Sequence, residues 1–194
     1  MKDFIEEVIL NFQILWRIIF TGSLPRYLKF KTLLLFKKSP TLKLPIFYNE
    51  KILRDSGIFL AGTNSYTREI FIDHIFKQLH PMAQLYALLH EEGHIKYQHD
   101  PGERKISEEI EADKYAMKYL GEYWTYSSMM AVICNIVSIE FSAACDYLVR
   151  LEDLGFDKAR ELKIIAPNGK EFNVDFIRES INKYGYDKIA EEGY

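Results

Sequence analysis

Cysteine is scarce in this chain. Two residues, Cys134 and Cys145, cannot supply the multi-disulfide framework of a small secreted domain. The spacing predicts both on one helix, about 16 Å apart along its axis, too far to bridge. A secretory signal is lacking as well, because the N-terminal apolar segment opens on acidic residues rather than basic ones. A reducing, cytoplasmic setting is the expectation. Uninterrupted apolar runs are also missing. The segment Asp3–Phe20 is rich in Phe, Ile, Leu and Trp16, but Glu6, Glu7, Asn11, Gln13 and Arg17 interrupt it too often for a membrane span. Charge of one sign is lacking too: the net charge of -3 gives no reason to expect a nucleic-acid partner. No internal repeat and no low-complexity segment stands out. With 194 residues the chain can bury one sizeable core.

What the chain does have is His90-Glu91-Glu92-Gly93-His94, the pattern H-E-x-x-H inside a run that reads as a buried helix. Helical residues four apart lie one above the other, so His90 and His94 can present their rings to one metal ion. At about 100° per residue Glu91 flanks them on the same half of the helix, and Glu92 points to the opposite side. Two histidines beside a carboxylate suit metal-assisted hydrolysis, in which the metal lowers the pKa of water and the carboxylate takes its proton. Alone, the pattern also describes a helix with two surface or capping histidines.

A catalytic zinc site needs a third protein ligand. The stretch Ser107–Asp113 reads as the start of another helix, with Ser107 as N-cap and acidic residues in the first turn. On its wheel Ile110, Ala112, Ala116, Met117, Tyr119 and Leu120 form an apolar arc. Glu109 lies near the centre of that arc, with Asp113 beside it. Glu108 and Glu111 fall outside it, with Lys114 and Lys118. A carboxylate on a buried face is costly unless paired or bound to metal, which selects Glu109 as ligand. Asp113, one turn on, can accept a ring N–H from a ligand histidine. Ala112 and Ala116 would let the two helices approach closely.

H-E-x-x-H followed by E-x-x-A-D resembles the gluzincin metallopeptidases, particularly the CAAX-prenyl-protease-like and ImmA/IrrE-like branches. The resemblance covers roughly residues 58–120. It implies that Glu109, the first residue of E-x-x-A-D, completes the ligand set of a single zinc. His99, shortly after the first motif, is similar to a further histidine often found there. A metzincin would need Gly at position 97 and His or Asp at 100; the chain has Tyr97 and Asp100, so Asp100 ranks below Glu109.

Around these motifs, Arg26–Lys38 is basic and apolar. Together with Asp3–Phe20 it could lie on a membrane or partner; packing on the core with solvated lysines is the favoured reading. Short strands are predicted at Ile46–Tyr48, Ile58–Ala61 and Glu69–Ile72, with Gly62–Asn64 as a turn. The resemblance makes them a small antiparallel sheet whose edge pairs with an extended substrate. Pro81 suits the first turn of the metal helix. Ser127–Leu151 reads as one long apolar core helix, Asn168-Gly169 as a two-residue hairpin turn, and 175–184 as a helix.

The expectation is therefore an α+β, zincin-like metallopeptidase core at 39–151. A helical segment at 1–38 precedes it, and a hairpin–helix appendage at 152–194 comes after it. His90, His94 and Glu109 hold zinc, Glu91 is the general base, and Asp113 orients a ligand ring. Tyr115, Tyr119, Tyr123 and His99 stand as unranked oxyanion candidates. The expected substrate is a protein or peptide. Two other readings stay open: a zinc-binding regulatory protein without turnover, and a protease working at a membrane surface.

Overall fold

The computed structural model describes residues 46–48, 60–64, 66–100 and 105–194. The predicted helix at 3–20, the basic segment at 26–38 and the first half of the predicted strand 58–61 lie outside them. The chain divides into two compact units, residues 1–125 and 126–194. Both helices and strands are present, with helix predominating, an α+β composition. Among the described residues no helix is long and apolar enough to cross a membrane.

The first unit carries a three-stranded sheet of order β1 (Ile46–Tyr48), β3 (Glu69–Ile72), β2 (Ala61–Asn64). The sheet is mixed rather than antiparallel: β1 runs parallel to β3, and β2 antiparallel to it. Strand β3 alternates, burying Ile70 and Ile72. The second strand falls later than its apolar run suggests. Gly62, Thr63 and Asn64 are in the ladder, opposite Phe71, Ile70 and Glu69. The turn sits at Tyr66–Arg68, where the Asn64 carboxamide oxygen accepts from the backbone N–H groups of Tyr66 and Thr67. Asx chemistry, not the apolar pattern, sets the turn.

Asp73 ties the sheet to the first helix. Its carboxylate caps α1 (His74–Gln78) by accepting from Phe76 N–H at 2.9 Å, and it accepts from Leu60 N–H at 3.0 Å. Helix α2 (Pro81–Tyr97) begins with Pro81 in its first turn, where a missing N–H costs nothing. It is buried on nearly all sides, which is why its sequence is apolar without clear periodicity.

Helix α3 (Ile106–Leu120) packs against α2. Its N-cap is Lys105, with no side-chain capping bond, so Ser107 is a helical residue and not the cap. The two backbones come very close where Gly93 meets Ala112: a Cβ at position 93 would stand 2.8 Å from the Ala112 Cα. Because the obstacle is backbone, Gly93→Ala must push the helices apart. A net loss of about 1–3 kcal/mol is expected, read as a lower denaturant midpoint at unchanged slope. A variant as stable as wild type would mean that the pair can separate freely.

The predicted helix 127–151 is two helices, α4 (Glu122–Ile136) and α5 (Phe141–Asp153). Val137, Ser138 and Ile139 are poor helix formers, and Glu140 N–H turns back to the Ile136 carbonyl at 2.7 Å. Cys134 and Cys145 therefore lie on different helices, the first exposed and the second buried. In the second unit a 3-10 turn (Asp157–Glu161) leads to the hairpin β4 (Lys163–Ile165) and β5 (Glu171–Asn173), then α6 (Val174–Tyr184) and α7 (Tyr186–Gly193), the last not anticipated. The hairpin loop is Pro167-Asn168-Gly169, one residue longer than expected. Ala166 N–H donates to Lys170 O, and Gly169 adopts φ 85°, a bulge position that suits glycine. Phe172 and Ile164 face the core with Phe141, Leu148 and Ile177.

Candidate metal centre

One helical turn of α2 and one of α3 face each other across the Gly93–Ala112 contact. From α2, His90 Nε2 and His94 Nε2 stand 3.0 Å apart. From α3, the Glu109 carboxylate lies 3.3 Å from His90 Nε2 and 3.7 Å from His94 Nε2. His90 is buried, and His94 and Glu109 are nearly so. Among the described residues this is the one cluster of His, Cys, Asp or Glu side chains that could hold a metal ion.

The far sides of the two rings assign their tautomers. His90 Nδ1–H donates to Asp113 Oδ1 at 2.7 Å. Asp113 is wholly buried, and the same oxygen accepts from the Tyr86 hydroxyl at 2.6 Å. His94 Nδ1 is 2.8 Å from His99 Nδ1, and His99 Nε2 is 3.0 Å from Glu111 Oε2. The Glu111 carboxylate only accepts, so His99 donates through Nε2; with the His99 ring neutral, its Nδ1 then accepts and His94 Nδ1–H donates. In these neutral tautomers both Nε2 atoms present lone pairs. Two nitrogen lone pairs and a carboxylate thus converge, an arrangement a cation resolves.

The spacing fits zinc. Ligands about 2.0–2.1 Å from a tetrahedral zinc stand about 3.3 Å from one another, against observed separations of 3.0, 3.3 and 3.7 Å. Two imidazoles and one carboxylate form the donor set of open catalytic zinc sites rather than of closed structural ones.

The other sequence candidates occupy different surroundings. Glu91 and Glu92 are both buried. Glu92 is buried beside Tyr115 of α3, and its charge helps to hold the Tyr115 phenol protonated. Burial first, then the Tyr119 hydroxyl and the Glu92 charge, hold the Tyr115 phenol protonated far above its ordinary range. Tyr123 is exposed. Asp100 is exposed and outside the cluster. Glu108 is partly exposed and lies 3.7 Å from Lys105.

Tyr86 behind Asp113 escapes the sequence reading, while His99, read there as an oxyanion candidate, and Glu111, read as lying outside the apolar arc, stand behind His94. Tyr86 lies one turn before His90 on the same helix, so its spacing was a usable signal. His99 comes into place through Gln98, a non-glycine residue in the left-handed region at φ 59°, which no residue type there announces.

Comparisons with protein-family models, with curated proteins and with solved structures find no match for this chain.

Proposed function

We propose that the chain is a zinc metallopeptidase of gluzincin type on a zincin-like fold, hydrolysing peptide bonds of a protein or peptide substrate. The observation that carries this reading is the convergence of His90 Nε2, His94 Nε2 and the Glu109 carboxylate, with the opposite nitrogen of each ring committed elsewhere. Zinc held there supplies Lewis-acid chemistry, lowering the pKa of water and polarising a carbonyl. The remaining roles belong to side chains. Glu109 brings one negative charge that offsets part of the ion's charge. Asp113, itself fixed by Tyr86, holds His90 in the tautomer that leaves Nε2 unprotonated. Glu91, buried and next in sequence to His90, is the general base. Its carboxylate accepts a proton from the attacking water and returns it to the leaving amine. The scarcity of cysteine supports a cytoplasmic setting.

The test is metal content joined to turnover. Protein purified without chelators should carry about one zinc per chain and cleave an unstructured protein substrate, with activity lost to a chelator and restored by zinc. Absence of zinc would overturn the metal centre. Stoichiometric zinc with no cleavage across a broad peptide library would overturn the peptidase and leave a zinc-binding regulatory protein.

A further inference from the structure

We propose that His99 and Glu111 form a positioning relay for His94, the counterpart of what Asp113 and Tyr86 do for His90; this rests on the zinc-site reading. The two ligand histidines need the same service, a partner on Nδ1 that fixes the ring plane and leaves Nε2 unprotonated. His90 obtains it from a buried carboxylate on the facing helix. His94 has the His99 ring instead, 2.8 Å away, with Glu111 behind it at 3.0 Å.

The backbone is built to deliver this contact. Helix α2 ends on Gln98 in the left-handed conformation, and the next N–H, that of His99, bonds back to the His94 carbonyl at 3.0 Å. His94 and His99 are thus joined twice, once through the main chain and once through their rings. The 6→1 backbone bond closes the helix and swings position 99 back under position 94. Tyr97 stacks against the His99 ring at 5.8 Å between centroids. His99 is 7% exposed and Glu111 about half exposed, so the relay runs from the cluster to the surface of α3. It also spans the two helices: Glu111 on α3 is coupled to a ligand on α2, as Asp113 is. Glu111 is therefore more than a solvated acid near a helix start.

The order of donation is set by the chemistry. Glu111 accepts from His99 Nε2–H, His99 Nδ1 accepts from His94 Nδ1–H, and His94 Nε2 is left as lone pair. A residue at 99 must accept on one side and donate on the other. Glutamine can do both through its carboxamide, whereas phenylalanine keeps the ring volume and does neither.

Two measurements test this. The first uses wild type with 15N-labelled histidine and reads the tautomer of each ring by long-range 1H–15N correlation. Both His90 and His94 should carry their proton on Nδ1, in zinc-loaded and in metal-free protein. The second is competition of zinc against a chromophoric chelator. His99→Phe should weaken zinc binding about 10–100-fold. His99→Gln should recover most of that loss, and Glu111→Gln should lose less than His99→Phe. In His99→Phe the His90 tautomer should be unchanged. If wild type binds one zinc and His99→Phe binds it equally tightly, the relay is overturned while the zinc centre stands. If wild type binds no zinc, the zinc centre fails; the metal-free spectrum still decides the relay, since a proton on His94 Nε2 would refute it. A His99→Phe variant that does not fold leaves His99→Gln and the wild-type spectra to give the answer.

Discussion

Glu109→Ala is expected to weaken zinc binding about a hundredfold to a thousandfold. The magnitude comes from zinc sites whose binding free energy of about 10–16 kcal/mol is shared among four ligands, or about 2.5–4 kcal/mol each. Glu109 is 14% exposed and lies within 3.7 Å of both ring nitrogens, so alanine removes one of three ligands and leaves an opening in its place. Neighbouring acids on α3 give the comparison its meaning. Asp113→Asn should cost about 10–100-fold, because it disturbs the His90 tautomer without removing a ligand. Glu108→Ala should change affinity little, since its partner is the exposed Lys105. Zinc titration of these variants against a chromophoric chelator gives the ranking. Should Glu109→Ala bind as tightly as wild type while Asp100→Ala does not, the third ligand is Asp100 and the gluzincin reading fails.

The geometry of the cluster was legible because it rests on two helices, where spacing alone fixes direction. His90 and His94 share a face by being four apart, and the apolar arc of 106–120 singles out Glu109 and Asp113 from Glu108 and Glu111. The structure brings the first two of those acids to the histidines and leaves Glu108 aside. Glu111 is not the solvated acid its wheel position suggests, because its partner comes from outside its own helix. A wheel describes one helix, and the position of His99 depends on the left-handed turn at Gln98. Glu92 shows the same limit. Its wheel position names no neighbour, and the one beside it, Tyr115, comes from the facing helix.

In the fold, helix α2 was readable from its motif and Pro81, and strands β1 and β3, helices α3 and α6, and the hairpin from periodicity and turn residues. The misplacements have local causes. Strand β2 starts late because Asn64 makes the turn after it. The helix read at 127–151 breaks because three poor helix formers stand together at 137–139. The parallel pairing of β1 with β3 involves chain between them that strand patterns do not report.

The largest effect on turnover is expected at Glu91. Glu91→Gln keeps the volume and hydrogen-bonding reach of the side chain but cannot take a proton from water. Positioned proton transfer contributes about 10²–10⁴-fold to a rate, so kcat should fall by that factor while zinc stays bound. Glu92→Gln is the natural control, one residue along and equally buried. It lies beside the Tyr115 phenol, and replacing a buried carboxylate by an amide there should cost stability, about 1–3 kcal/mol. Its folded fraction should nonetheless hydrolyse substrate near the wild-type rate. The measurement is kcat for a peptide substrate, normalised to zinc content so that unfolded protein does not count as inactive enzyme. A fall of about three orders for Glu91→Gln at full zinc occupancy, with Glu92→Gln near wild type, assigns the base. Equal loss in both variants would mean that the two acids act through packing of α2 against α3, and Glu91 would then not be the proton acceptor.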